Sequence, residues 1–311
     1  MKYQPRLKVV KDTIIKTKTI SLWILTIVLI LITAIYYFRL EALGWYFWHA
    51  NKPADGLELK NYQVEMDGLP IIGLENASGL TFNTERNTLF TVLNKESQII
   101  EVDVNGKVLR KINVTGVDDM EGITHLSDNR YVIADERDNR LLEVTIDDDA
   151  TQLNATHSKK LRLGINPSGN KNFEGVSWDD NNNRLLVAKE RDPKYILSVT
   201  GFFNAPEGLP LDIQIKQVEA FDAAIRWSLR DLSSVTYHSE TGHLLLLSDE
   251  SRLIKEYDEA GKAIGALALW RGFHGLKHHV PQAEGIAVGP DGRIYIMSEP
   301  NLLYVFKPKN L

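Results

Sequence analysis

Cysteine is absent from all 311 residues. Its absence excludes disulfides, thiolate metal sites and a cysteine nucleophile, and is compatible with an oxidising or a reducing compartment. The G-x-S-x-G elbow, the Walker loop, the dinucleotide fingerprint and the H-E-x-x-H zinc helix are also missing, so no familiar nucleophile or nucleotide motif announces a reaction. Surplus positive charge is lacking too. The formal net charge is −5, which argues against a nucleic-acid surface. Low-complexity tracts are absent, and helical periodicity is scarce beyond residue 57. The remainder, 43% hydrophobic and 25% charged, is the composition of a folded chain.

Charge is locally absent in one place. Ile20–Phe38, ISLWILTIVLILITAIYYF, runs 19 residues without a charge, long enough to cross ~30 Å of hydrocarbon. Before it stand Lys2, Arg6, Lys8, Lys11, Lys16 and Lys18 against the single acid Asp12. That bias places the N-terminus in the cytoplasm and the rest of the chain across the membrane, in a bacterium the periplasm. Tyr36, Tyr37, Trp45, Tyr46 and Trp48 would form an interfacial belt. A cleaved signal peptide is the competing reading, but its apolar core is shorter and a small-residue cleavage site should follow it. The expected order is a basic cytoplasmic tail (1–19), an inner-membrane span (20–38), a juxtamembrane linker (39–56) and one large domain (57–311).

That domain repeats itself. The segments ASGLTFNTERNTLFTVLNKE (77–96), MEGITHLSDNRYVIADE (120–136), FEGVSWDDNNNRLLVAKE (173–190), LSSVTYHSETGHLLLLSDE (232–250) and AEGIAVGPDGRIYIMSE (283–299) share one grammar. Each has a Ser or Glu, a Gly or Ser, an apolar run, a polar turn, a second apolar run and a terminal Glu, which is the pattern of a β-hairpin. The marked starts Ser78, Glu121, Glu174, Ser233 and Glu284 lie 43, 53, 59 and 51 residues apart, a period that signals propeller blades. A third apolar run follows every hairpin, and a fourth follows all but the last. The strand 59–68 has no hairpin of its own and would complete the last blade, closing the ring as propellers do. The expected fold is all-β: a five-bladed β-propeller with four-stranded blades behind one transmembrane helix. Six blades remain open while 191–230 is loosely patterned, and a parallel β-helix is the alternative.

Counting inward from each turn places the marked residue opposite the terminal Glu at the open end of its hairpin, with Cβ atoms ~5 Å apart. First strands line a propeller's channel, so Ser78, Glu121, Glu174, Ser233 and Glu284 would ring the axis. Glu96, Glu136, Glu190, Glu250 and Glu299 would form a second tier. Carboxylates converging on one axis repel and resist ionising. A hard cation relieves both effects, and calcium takes about 6–8 oxygen ligands. A donor set without thiolate or imidazole disfavours zinc and copper. The plainer reading makes these glutamates ion-pair partners and the glycines an accommodation to a tight inner bend. It is preferred for the second tier, and calcium for the ring.

These residues carry a resemblance. The basic-flanked span, the Glu-Gly hairpins and DMEGITHLSDNRYVIADERDNRLLEV resemble the SdiA-regulated (YjiK-like) family of bacterial membrane-anchored proteins, over about residues 57–311. The resemblance implies a five-bladed propeller related to NHL-repeat proteins, with bound Ca2+ and no assigned reaction. The Ser, Glu, Glu, Ser, Glu order is also similar to the central calcium ring of calcium-activated nucleotidases, which implies calcium on Ser78, Glu121, Glu174, Ser233 and Glu284.

Other candidates are weaker. DDNNNRLLVAKE (179–190) spaces acids like an EF-hand, but Arg184 stands where the turn needs glycine. FHGLKHH (273–279) offers His274 as a ligand contact at the mouth, or as an ordinary solvated histidine. AAIRWSLRD (223–231), read as a loop, offers Arg226 and Trp227 to an anionic or sugar-like ligand, or lets Trp227 cover a blade junction. Two functions fit these features: a membrane-anchored module binding a small molecule or protein, and a calcium-dependent hydrolase of phosphate esters, nucleotides or lactones.

Overall fold

The computed structural model describes residues 5–50, 56–164, 173–205 and 210–309. Residues 1–4 of the expected basic tail and 51–55 of the expected linker lie outside these ranges. Two compact units are present, Met1–Gly44 and Trp45–Leu311.

The N-terminal helix α1 (Pro5–Tyr37) holds one segment, Thr17–Tyr37, long and apolar enough to cross a membrane. Within it Thr26 and Thr33 donate to the carbonyls of Leu22 and Leu29, at 2.9 and 2.8 Å, so neither hydroxyl needs an outside partner. A second helix, α2 (Leu40–Ala50), occupies the stretch read as a linker.

The larger unit is built on five sheets, antiparallel throughout except where β9 joins the first. The first strand, β1 (Tyr62–Pro70), stands apart in sequence from the sheet it joins. Blade one contains β2 (Ala77–Asn83), β3 (Thr88–Leu93), β4 (Gln98–Asp103) and β5 (Val108–Thr115). Blade two contains β6 (Met120–Ser127), β7 (Arg130–Asp135) and β8 (Arg140–Thr145). The next strand, β9 (Gln152–Asn154), crosses back to lie parallel on β5 as a fifth strand of blade one, and β10 (Lys159–Arg162) completes blade two. Blade three is β11 (Phe173–Asp179), β12 (Arg184–Lys189), β13 (Tyr195–Thr200) and β14 (Gln214–Gln217). Blade four is β15 (Ser234–His238), β16 (His243–Ser248), β17 (Leu253–Tyr257) and β18 (Ala263–Ala268). Blade five, β19 (Ala283–Val288), β20 (Ile294–Ser298) and β21 (Leu302–Pro308), takes β1 as its outer strand, Tyr62 opposite Pro308 and Pro70 opposite Leu302. The ring closes as the unassigned N-terminal strand predicts. Residues 191–230 supply β13, β14 and a short helix, α3 (Asp222–Ser228), and add no sixth blade.

Inner strands pack side by side in the order β2, β6, β11, β15, β19 and back to β2. Their apolar side chains fill the blade-to-blade cores, such as that of Phe90, Ile99, Ile123, Ile133 and Leu142. A repeated hydroxyl bond ties the inner strands together. Thr81 Oγ1 accepts the His125 amide (3.0 Å), Thr124 Oγ1 that of Trp178 (3.0 Å) and Ser177 Oγ that of Tyr237 (2.8 Å). Each sits three residues after a marked position, where strand pleating turns it toward the neighbouring blade.

Candidate functional site

The marked residues come together. Ser78, Glu121, Glu174, Ser233 and Glu284 all line one cavity of about 330 Å3 at the head of the inner strands. Their placement differs from the expected facing pairs. Four of the five hairpins carry an extra residue on the inner strand beside the marked position: Met120 pairs with Asp135 but Gly122 with Ala134, and Ala283 with Ser298 but Gly285 with Met297; the blade-two hairpin carries a second, between His125 and Ser127. The same shift falls between Phe173 and Val176 and between Ser78 and Thr81. Such β-bulges re-aim a side chain and end regular pairing. Consequently Glu121 does not oppose Glu136, whose amide instead donates to Asp119 O at 3.0 Å. Likewise the Glu299 amide donates to Gln282 O at 2.9 Å, and Ser78 pairs with Val92 rather than Glu96.

The second tier divides. Glu190, Glu250 and Glu299 line the cavity, Glu136 is buried beside it, and Glu96 points to solvent. Asn94 stands where Glu96 was expected, its Nδ2 donating to Glu121 Oε1 at 3.3 Å. Arg191, Asp231, Asp249 and Gln282 complete the wall. Sequence reasoning missed these because Arg191, Asp231 and Gln282 sit outside the repeated segments and Asp249 precedes a terminal Glu at a position the grammar does not mark. A signal existed for Asp231: it lies two residues before Ser233, in one of the two copies whose marked position lacks a carboxylate.

Each serine secures a blade seam. Ser78 Oγ donates to Glu121 O (3.0 Å), and Ser233 Oγ donates to Ala283 O (2.7 Å). Each hydroxyl oxygen keeps lone pairs for a further partner. Arg191 is the cavity's arginine, and it is committed: Nη1 reaches Glu250 Oε1 at 2.7 Å and Nη2 contacts Glu190 Oε1. The plainer reading of the second tier therefore describes Glu190 and Glu250. Among the described residues, no lysine or arginine forms an ion pair with Glu121, Glu174 or Glu284.

The ring acids carry the consequence. Burial, with Glu136 and Asp119 nearby, pushes the Glu121 carboxyl up to about 7. Burial and the charges of Asp249, Glu299, Asp231 and Glu121 push Glu284 to about 8. Burial also raises Glu174 well above the usual carboxylate range, with Glu121, Glu190, Glu136 and Glu284 adding to it. Burial, with the Asp249 and Glu250 charges, raises Asp231 to about 6 against the opposing hydrogen bond from Ser248.

The remaining candidates lie elsewhere. His274 is neither at the mouth nor solvated: it is buried, its Nδ1 bonds Tyr62 O at 2.9 Å, and its Nε2 lies 3.3 Å from the Tyr46 hydroxyl. The expected loop carrying Arg226 and Trp227 is the helix α3. Trp227 is 77% exposed, so it covers no junction, and neither residue lines the cavity.

The sequence matches the SdiA-regulated family over residues 54–307. The chain belongs to the SdiA-regulated family. Among solved structures the SdiA-regulated chain is similar to a luciferin-regenerating enzyme, with a TM-score of 0.51 and 13% identity over 78% of this chain and 95% of that one. It is also similar to regucalcin from Agrobacterium tumefaciens, a calcium-binding protein, with a TM-score of 0.48 and 13% identity over 78% and 93% of the two chains. At that identity the likenesses concern the propeller fold alone.

The family resemblance implies calcium, and the hub fits it in one respect only. Its donors are carboxylates and hydroxyls, the chemistry of a hard cation. Their convergence does not match: among the described residues, no three acidic or histidine side chains stand close enough together to hold one ion.

Proposed function

We propose that this SdiA-regulated protein is a membrane-anchored binding module whose propeller faces the periplasm of a bacterium and whose hub takes up a calcium ion. One observation carries the reading: Glu121, Glu174 and Glu284 are buried in one cavity, where burial first and neighbouring carboxylates second raise all three, while the nearby arginine is spent on the outer acids. Such a cluster is costly to ionise unless a cation shares it. Calcium would supply that neutralising charge, held by Glu121, Glu174 and Glu284 with the oxygens of Ser78 and Ser233. The glutamates would have to swing inward to converge. The anchor rests on the apolar segment Thr17–Tyr37 and on the basic residues preceding it.

Calorimetric titration of the full chain in nanodiscs tests the hub. Calcium should bind with one-to-one stoichiometry and magnesium much more weakly, because magnesium demands a tighter octahedron. Glu174→Gln keeps the side chain's shape and removes its charge, and should weaken calcium binding by roughly 100-fold. No calcium heat from the unaltered chain, or equal affinity in Glu174→Gln, would refute the metal reading.

A further inference from the structure

The hub lies at one end of the inner hairpins, and another cavity, of about 440 Å3, lies at the opposite end. It sits over the seam between blades one and five, where Asn87 ends the turn before β3 and Asp291 stands in the turn before β20. The turn after β4 reaches across the same seam: a Cβ on Gly106 would lie 2.8 Å from Leu69 Cδ2 and 3.3 Å from Leu303 Cδ2. Its neighbour Asn105 lines the cavity. A bulge in β1 shapes the facing wall. Val64 pairs with Phe306 and Met66 with Val305, so Glu65 is an extra residue. Consecutive residues of a regular strand point to opposite faces, yet Glu65 and Met66 both line the cavity. Bulges re-aim side chains in this way.

The charges at this seam are already matched. Arg293 Nε reaches Glu65 Oε2 at 2.7 Å and its Nη1 contacts Asp291, while Lys307 Nζ meets Glu65 Oε1 at 2.9 Å. Two acids are balanced by two bases. The uncharged polar groups are not matched. Tyr295 is 2% exposed, its ring 5.7 Å from that of Phe82, and the part that stays accessible opens into the cavity. Burial raises its phenol to about 12, and the charges of Asp291, Arg293 and Glu65 reach it. Among the described residues its hydroxyl makes no hydrogen bond, and neither do the side-chain amides of Asn87 and Asn105. A buried hydroxyl without a partner destabilises a fold. A ligand that bonds to it reverses that effect.

We infer that the cleft between blades one and five binds the ring of a neutral sugar. A volume of about 440 Å3 falls within the roughly 300–1,000 Å3 of small-molecule pockets. A sugar hydroxyl both donates and accepts, as the Tyr295 phenol and the two asparagine amides do between them, and it needs no counter-charge. Met66, Val104 and Val305 supply an apolar wall against which the C–H face of a pyranose packs. A phosphate or carboxylate would have to draw Arg293 away from two acids, and an amine would have to displace Arg293 or Lys307 from Glu65. A peptide is neutral too, but it spreads its polar groups along a strand, whereas these three side chains line one concavity. The inference is independent of the calcium reading of the hub.

Saturation-transfer NMR on the full chain in nanodiscs tests it, with glucose, galactose, mannose, N-acetylglucosamine and their methyl glycosides as probes and trialanine as the peptide control. At least one sugar is expected to receive saturation, in chelator as well as in calcium. Tyr295→Phe keeps the ring on Phe82 and removes only the hydroxyl. Asn87→Gly removes the amide and keeps the left-handed turn, where φ is +55°. Each should weaken that sugar roughly 5–10-fold, the contribution of one hydrogen bond. The melting temperature of Tyr295→Phe should stay level or rise, because no protein group loses a partner. Saturation of no sugar, saturation of trialanine instead, or equal sugar affinity in both variants would overturn the inference. So would a clear fall in the melting temperature of Tyr295→Phe, which would give the hydroxyl to the fold. Sugar binding that disappears in chelator would move the ligand to the hub and overturn it as well.

Discussion

With divalent ions chelated, the thermal stability of the propeller is expected to fall as pH rises from about 6.5 to about 8.5. The sign follows from proton binding. Glu121 and Glu284 titrate near 4.5 when unfolded but at about 7 and about 8 in the fold, so across that interval the folded chain holds protons that the unfolded chain has released. Raising the pH therefore favours unfolding. The penalty is absent below pH 4.5 and complete above the folded values. Each tenfold change in proton affinity is worth about 1.4 kcal/mol, so the two glutamates contribute on the order of 3–5 kcal/mol each, less than additively because they share one field. Glu174 and Asp231, raised for the same reasons, act in the same direction. Two groups oppose them at lower pH. His238 and His274, buried and held below their ordinary value, add stability as pH climbs toward 6.5 and offset part of the acids' decline, which is unopposed by them above that point. Glu65 is held near 2 by Arg293 and Lys307, and its contribution is already complete throughout the window. Melting curves of the full chain in chelator at stepped pH measure the slope. Stability that is flat or rising between pH 7 and 8.5 would mean that the hub acids are not buried together. On the calcium reading, the added ion should flatten the slope.

The five blades were legible because each hairpin repeats its own punctuation: an acid or serine, a small residue, two apolar runs and a polar turn. Closure was legible because 59–68 had no hairpin, and β1 occupies that stretch. The facing of Glu121 and Glu136 was not legible. Counting from the turn assumes an unbroken ladder, and one inserted residue, which leaves no mark in the hydrophobic pattern, moves every pair beyond it. The excursion of β9 to blade one is a three-residue, long-range pairing with no local signature. The helix α3 is seven residues long, too short for a helical period to stand out. The contact of Tyr46 with His274 joins residues 228 apart in sequence, a pairing that no local pattern announces.

Gly175→Ala is expected to loosen the hub mechanically, whatever the fate of its charges. In four of the five copies a glycine follows the marked residue, because inner strands pass one another nearly in backbone contact. A Cβ on Gly175 would lie 2.6 Å from Val235 N and 2.8 Å from Ser234 Cα, and one on Gly122 would lie 2.5 Å from Glu174 O. One on Gly285 would meet Gly79 C at 2.6 Å, across the seam between blades five and one. Gly122, Gly175 and Gly285 therefore serve blade-to-blade approach, whereas Gly79 also holds a left-handed φ of +58° that a bend requires, and neither obstacle at Gly175 is a flexible side chain that could swing aside. Blade three must move away from blade four. Because the ring is closed, the displacement is shared by every seam, including that held by β1. Overpacking of this kind costs about 1–3 kcal/mol, which lowers the melting temperature by roughly 3–10 °C for a domain of this size. Glu174 immediately precedes the altered residue, so calcium affinity should fall together with stability. Gly164→Ala is the control, since no described residue lies within 4 Å of a Cβ built there, and it should melt with the unaltered chain. If Gly175→Ala melts with it too, the inner strands are not in contact and the hub is wider than 330 Å3 allows.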